Sequence, residues 1–267
     1  MTSILTIITA YNSEQTIERA VESVLEQDLP DNISLKLIVV DDFSNDKTSE
    51  ILTNRYQDID KVSIIQRKVN AGFPSIPRNE GLRFALKHEI YFDFLCYLDA
   101  DDYWLPSKIK EQLTQFEQRP ELSLSYCGHL IVEDESGQQY QLPRRKIQKI
   151  WQHFLWSHIT LSSIMLNWEK VKELQPLFNE SPDFKAIEDF DLSTRILLRN
   201  GQTSRTESGN VVYYKSKHSI SRGAKKEIIK RLNFLFSYSI KSYELNPFLY
   251  RLILSIKKIK IALFGVY

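Results

Sequence analysis

A mostly parallel sheet flanked by helices is the fold this sequence predicts, on three observations. Short apolar runs alternate with amphipathic stretches through the first 132 residues, the pattern of repeated βαβ units with right-handed crossovers. The early apolar runs end in polar clusters, and in such a sheet those clusters gather at one edge, beyond the carboxyl ends of the strands. With 267 residues, 42% hydrophobic and 26% charged, the chain can bury a sizeable core as one domain with a tail.

Residues 4–9 predict the first strand, and Asn12 with Gln15 three residues on forms a capping box for a helix carrying Ile17, Ala20, Val21, Val24 and Leu25. Residues 35–40 are the second strand. The turn Asp41-Asp42-Phe43-Ser44-Asn45-Asp46 then leads into a helix through Ile51 and Leu52. Residues 62–65 are the third strand, and residues 68–77, with one Gly and two Pro, read as a loop before a helix marked by Leu82, Ala85 and Leu86. Residues 94–98 are the fourth strand, broken by Asp99-Ala100-Asp101-Asp102. Pro106 opens a helix with Ile109, Leu113 and Phe116 on one face, and residues 122–132 form a further strand.

Beyond Val132 the alternation stops. A polar stretch with a Gly137 turn and the basic run Arg144-Arg145-Lys146 gives way to apolar content at residues 151–156 and 159–166. Glu188-Asp189 opens a helix that Asn200-Gly201 closes, and residues 211–214 are a late strand.

The net charge of +1 argues against a nucleic-acid binder, yet it is unevenly spread. Residues 222–267 hold ten Lys and Arg against Glu227 and Glu244, a balance of +8, which leaves −7 for residues 1–221. Apolar residues from Phe234 to Phe264 are interleaved with these lysines, as in an amphipathic helix lying on an anionic membrane surface; a helix packed on the catalytic domain or on a partner is the alternative. Cys96 and Cys127 sit in apolar runs, with neither disulfide nor metal spacing, and read as core residues in a reducing compartment. The run Ile4-Leu5-Thr6-Ile7-Ile8 is too short for a signal peptide, and no apolar run approaches the ~20 residues of a membrane span. A cytoplasmic protein, peripheral on the inner face of the membrane, is expected.

The acidic turn Asp99-Ala100-Asp101-Asp102 can hold a hard cation through oxygen and leave coordination positions for a diphosphate, or simply cap the Pro106 helix. A phosphatase of the haloacid dehalogenase type would carry Thr or Val where Tyr103 stands, and its loop would follow the first strand. Asp41-Asp42 can cap a helix, or accept a hydrogen bond from a nucleobase ring N–H. No Gly-x-Gly-x-x-Gly follows the first strand, which favours a mononucleotide over a dinucleotide. Glu188-Asp189 can complement a helix N-terminus or supply a base.

Five motifs, in order, are Thr9-Ala10-Tyr11-Asn12, Val39-Val40-Asp41-Asp42-Phe43-Ser44, Asn70-Ala71-Gly72 with Arg78-Asn79, Leu98-Asp99-Ala100-Asp101-Asp102, and Glu188-Asp189-Phe190-Asp191-Leu192. In order and spacing, over roughly residues 3–221, they resemble family 2 glycosyltransferases of the bacterial surface-polysaccharide type.

The resemblance implies a GT-A fold: a Rossmann-like, mostly parallel sheet flanked by helices, with a C-terminal helical tail. The implied catalytic domain spans residues 1–221, with a nucleotide-binding half (1–132) and an acceptor-binding half (133–221), followed by the basic tail 222–267. It implies an inverting, metal-dependent single displacement from a nucleotide sugar, a UDP-sugar, to a saccharide or lipid-linked acceptor. A metal-dependent phosphatase or nucleotidyltransferase, or a non-catalytic nucleotide-sugar binder, is the alternative. By the same resemblance Thr9 and Tyr11 contact the nucleobase, Asp42 hydrogen-bonds it, Arg78 lies near base and diphosphate, and Asp99 approaches the ribose. Asp101 ligates Mn²⁺ or Mg²⁺, and Asp189 is the general base. The family's late histidine, a metal ligand, matches His218 after a shift of two positions; otherwise Lys215, Lys217 and Arg222 supply charge to the diphosphate. His153 and His158, beside Trp151 and Trp156, read as packing residues, and acceptor recognition is expected between Trp151 and Pro182.

Overall fold

In the computed structural model, which describes residues 1–133, 139–141, 146–156, 159–215 and 225–264, strands β1 (Thr2–Ala10), β2 (Ile33–Asp41), β3 (Val62–Gln66) and β4 (Phe94–Asp99) form the parallel part of one sheet. Their near-continuous apolar runs reflect burial of both faces. Ile4, Ile8, Val39 and Leu98 pack on one face against α1 (Ile17–Leu25), α2 (Thr48–Tyr56) and α4 (Lys108–Gln118). Leu5, Ile7, Ile38, Val40, Leu95 and Tyr97 pack on the other, against α3 (Ser75–Lys87).

The sheet continues through β8 (Ile164–Asn167), β6 (Leu122–Glu133), β9 (Gln202–Lys215) and the two-residue β5 (Tyr103–Trp104), in the order β3-β2-β1-β4-β8-β6-β9-β5, with β7 (Gln139–Gln141) pairing β6. β8 runs antiparallel to both β4 and β6, and β6 and β9 pair in parallel, so the sheet is mixed in its second half. Helices α5 (Ile150–Trp156), α6 (Trp168–Val171) and α7 (Glu188–Leu198) flank that half. A third core joins Phe154 of α5, Phe184, Ile187 and Phe190 to Leu235 and Phe236 of α8 (Lys225–Ser242) and to Tyr250 and Ile253 of α9 (Pro247–Phe264).

Local chemistry departs from the sequence reading at several ends. The expected capping box at Asn12 and Gln15 does not form: the N-cap of α1 is Thr16, and Asn12 adopts φ 50° with its side-chain oxygen accepting from Asn45 N at 2.8 Å. Helix α3 starts at Ser75, so Pro77 falls in its first turn, where its missing N–H leaves no helix bond unmade, and Arg78 lies on a helix rather than just beyond a loop. Strand β9 is fourteen residues long, extended by partners on β6 that its polar first half does not advertise. Cys96 and Cys127 are buried free thiols, as expected.

Gly81 marks the closest approach of α3 to the sheet. A Cβ there would lie 2.8 Å from Ile7 Cγ2 and 3.2 Å from Val40 Cγ2, both on fully buried core side chains. Gly81→Ala is therefore expected to destabilise the fold by about 1–3 kcal/mol through overpacking, despite alanine's better helix propensity, measurable as a lower urea midpoint with unchanged slope.

Candidate active site

The strand register aligns the ends of β1, β2 and β4: Thr9 lies opposite both Val40 and Asp99, and Ala10 opposite Asp41. The polar clusters after these strands therefore share one sheet edge, where open α/β sheets bind ligands.

Just beyond the last β1–β2 pair, Ala10 with Asp41, Tyr11 is 48% exposed and Asp42 is buried. Two residues with positive φ, Asn12 and Phe43, follow them directly, and such backbone is uncommon outside glycine. Cross-links hold it: Ser44 Oγ donates to Asp41 Oδ1 (2.5 Å) and accepts from Asn12 N (2.9 Å). The Asp42 carboxylate accepts from the Arg67 guanidinium, from Asn70 Nδ2 (3.2 Å) and from Ala71 N (3.0 Å), so the loop after β3 is folded around it. Arg67, which also bonds Glu80 Oε2 at 2.7 Å, was not singled out in the sequence; its only signal is a cation just after an apolar strand.

The acidic turn after β4 divides into distinct environments. Asp99 is partly open and bonds Arg78 Nη2 at 2.7 Å. Asp101 is exposed at the surface, but desolvation by the surrounding protein and the neighbouring Asp99 charge push its carboxyl up to about 6. Asp102 is buried, and Oδ2 accepts from Ser162 Oγ at 2.5 Å while Oδ1 has no partner. Burial, then the charges of Asp101 and Asp99, raises it well above the carboxylate range. Ser162 Oγ also accepts from Asp99 N (3.2 Å), and Ser162 O accepts from Trp104 Nε1 (2.8 Å), fixing both ends of the turn.

Helix α7 brings the second half of the chain to this edge. Arg78, 4% exposed, reaches Asp99 with Nη2 and Glu188 Oε1 with Nη1, each at 2.7 Å. One guanidinium thus joins the end of β4 to the first residue of α7. Asn79 adds two bonds to Phe178 and one to Glu180, and Lys185 Nζ donates to Gly72 O at 2.8 Å. Next to Glu188, Asp189 accepts from Phe190 N at 2.7 Å. Burial and the Glu188 charge push its carboxyl up to about 7, against the opposing pull of Arg78.

Thr9, Tyr11, Asp42, Asp99, Asp101 and Asp189 therefore lie on elements that meet at one edge of the sheet. Arg78, expected near base and diphosphate, is buried between Asp99 and Glu188, and the guanidinium at the β2 end belongs to Arg67. His218, Lys217, Arg222 and His158 lie outside the described residues. His153 is a packing residue, stacked on Phe190 at 4.0 Å, bonded to Ser193 Oγ at 2.9 Å and pushed down to about 3 by burial.

The model of glycosyl transferase family 2 matches residues 6–173. The chain belongs to this family. The family assignment makes it a glycosyltransferase and favours sugar transfer over the phosphatase and nucleotidyltransferase readings. Among family 2 relatives it is 28% identical over 239 residues to the Escherichia coli UDP-Glc:alpha-D-GlcNAc-diphosphoundecaprenol beta-1,3-glucosyltransferase WfaP, covering 89% of this chain and 87% of that one. It is 31% identical over 134 residues to the Bacillus subtilis teichuronic acid biosynthesis glycosyltransferase TuaG, spanning 49% of each chain. Among solved structures it superposes on Staphylococcus aureus TarS 1–349 in complex with UDP-GlcNAc with TM-score 0.74 at 18% identity, covering 98% of this chain and 73% of TarS 1–349. A Pyrobaculum calidifontis mannosyltransferase in complex with GDP-Man and Mn²⁺ gives TM-score 0.63 at 17% identity, with 98% and 70% coverage. The fold is GT-A.

Proposed function

We propose that this glycosyltransferase transfers a sugar from a UDP-sugar to a hydroxyl of a saccharide or lipid-linked acceptor in cell-surface polysaccharide synthesis, with inversion by a single displacement. The observation that carries this reading is the shared sheet edge. Three strand ends bearing Thr9, Tyr11, Asp42 and Asp99 meet, through Arg78, the helix that presents Asp189. The names of WfaP and of the TarS complex support UDP as the nucleotide, and the diphosphoundecaprenol acceptor in WfaP's name supports a lipid-linked substrate.

In this reading Tyr11 stacks on the base, Thr9 contacts it, and Asp42, oriented by Arg67, Asn70 and Ala71, accepts its ring N–H. Asp99 takes a ribose hydroxyl. Asp189 accepts the proton of the acceptor hydroxyl as that oxygen bonds the anomeric carbon. The bond from that carbon to the diphosphate oxygen breaks, and its electron pair leaves with the nucleoside diphosphate. A carboxylate base so placed contributes roughly 10²–10⁴-fold, and a proton affinity near neutrality suits it to the task.

The donor set fits a hard divalent cation. Asp101 is open, Asp102 has a buried oxygen without a partner, and desolvation followed by the neighbouring like charges raises both carboxyls, so a cation here would offset that mutual repulsion. Among the described residues no group of three or more His, Cys, Asp or Glu could hold a metal ion; a cation at this turn would be bound by one or two carboxylates and completed by substrate phosphates. Asp101 would hold Mn²⁺ or Mg²⁺, and the ion would neutralise charge developing on the leaving diphosphate.

Calorimetric titration with UDP, GDP and TDP, with and without Mn²⁺, tests nucleotide and metal together. Expected is UDP binding that requires Mn²⁺ and weakens on the order of 100-fold in Asp101→Ala, the scale of several kcal/mol of metal-mediated charge stabilisation. No binding of any diphosphate in either condition overturns the reading. The anomeric configuration of the product, read by NMR, tests inversion.

A further inference from the structure

The α8–α9 hairpin is held by the third core, yet one face of α9 is left uncovered. Tyr250 and Ile253 are buried in that core, and Lys257 donates to Phe154 O, so the rotation of α9 about its axis is set. On the opposite side Phe248, Leu249, Leu252, Ile256 and Ile259 are exposed, Phe248 at 81% and Ile259 at 59%. At 100° per residue these five occupy an arc of about 100°, the apolar stripe of an amphipathic helix. Arg251 and Lys258 lie along one border of that arc, with Ser255 between them and the apolar residues.

We propose that this face of α9 docks on an anionic lipid bilayer, with the five apolar side chains entering the boundary between headgroups and acyl chains and with Arg251 and Lys258 at the level of the phosphates. Charge complementarity selects this occupant: residues 222–267 carry +8 while the rest of the chain carries −7, so the tail alone is attracted to an anionic surface. Among the described residues no helix is long and apolar enough to cross a membrane, and α9 therefore lies in the interface rather than across it.

The consequence for the acceptor rests on the function proposed above. Phe190, adjacent to Asp189, shares the third core with α9, and Tyr243, between α8 and α9, donates to Asp191 Oδ1 at 3.1 Å. The docking helix is thus packed against the helix that carries the base, so docking would hold the acceptor side of the site close to the bilayer.

Co-sedimentation of the full chain with phosphatidylglycerol-rich and with pure phosphatidylcholine vesicles tests the docking without reference to nucleotide or activity. Expected is binding to the anionic vesicles only, weakened by salt. Leu252→Glu with Ile256→Glu should weaken it more than about tenfold, and Arg251→Gln with Lys258→Gln by about fivefold for each cation removed. All four positions lie outside the third core, so both double variants should keep the wild-type unfolding midpoint. The proposal is overturned if folded wild-type protein stays in the supernatant, or if the variants bind as well as wild type. It is equally overturned by a dimer that Leu252→Glu with Ile256→Glu dissolves, since a second copy would then be what covers this face.

Discussion

Asp189→Asn should lower kcat by roughly 10²–10⁴-fold while leaving UDP affinity within about twofold, because the substitution removes the base without altering the strand ends assigned to the nucleotide. The amide keeps the acceptor oxygen that Phe190 N uses, so the start of α7 is preserved. In the wild type kcat should rise with pH through about 7, where the Asp189 carboxyl gives up its proton, and this limb should be absent from the residual activity of the variant. Stability should move the other way. The folded protein holds the Asp189 proton more tightly than an unfolded chain does, from an ordinary value of 3.8 up to about 7. The stability associated with the protonated group is fully present below about pH 4 and is lost as pH rises through about 7. The substituted amide never ionises and escapes that loss, so the variant should be more stable than wild type above pH 7, by about 2–4 kcal/mol at most. Thermal unfolding at pH 5 and pH 8 measures this; equal shifts at both pH values would remove Asp189's ionisation as the cause.

The sequence announced this arrangement unevenly, for physical reasons. Strands β1 to β4 are legible because burial on both faces demands apolar runs, and those runs stop where the sheet stops. The acidic turn at Asp99 and the Glu188-Asp189 pair are legible because a carboxylate cluster next to such a run is seldom needed for packing alone. The partners are another matter. Arg67 closing on Asp42, Arg78 joining Asp99 to Glu188, and Ser162 clasping Asp102 are contacts between segments 21 to 110 residues apart. Nothing in local composition selects one arginine over its neighbours for such roles. The same holds for α9, whose apolar positions could be read as one interleaved series until Tyr250 and Ile253 turn inward and Phe248, Leu252 and Ile259 are left outside.

Arg78 is where the largest loss of stability is expected. Its guanidinium is buried between two carboxylates, and their charges and hydrogen bonds keep it protonated despite that burial. Arg78→Ala removes the cation and leaves Glu188, itself 4% exposed, as an uncompensated buried charge. Breaking such a pair from one side costs about 3–5 kcal/mol, which for a chain of this size lowers Tm by roughly 10 °C. Lysine is a poor replacement, because one ammonium cannot reproduce the planar fork that reaches both carboxylates. The neutral pair Arg78→Met with Glu188→Gln should recover part of the loss, since no charge is then stranded at α7, and a double-mutant cycle would show this as strong coupling. A merely structural staple would end its influence there. Arg78 also opposes the upward push on Asp189, so removing its charge should move the acidic limb of kcat above pH 7 in whatever activity remains, and Arg78→Ala should lose more activity at pH 6.5 than at pH 8.5. If Arg78→Ala melts early but keeps the wild-type pH profile, the guanidinium holds α7 in place without tuning the base that α7 carries.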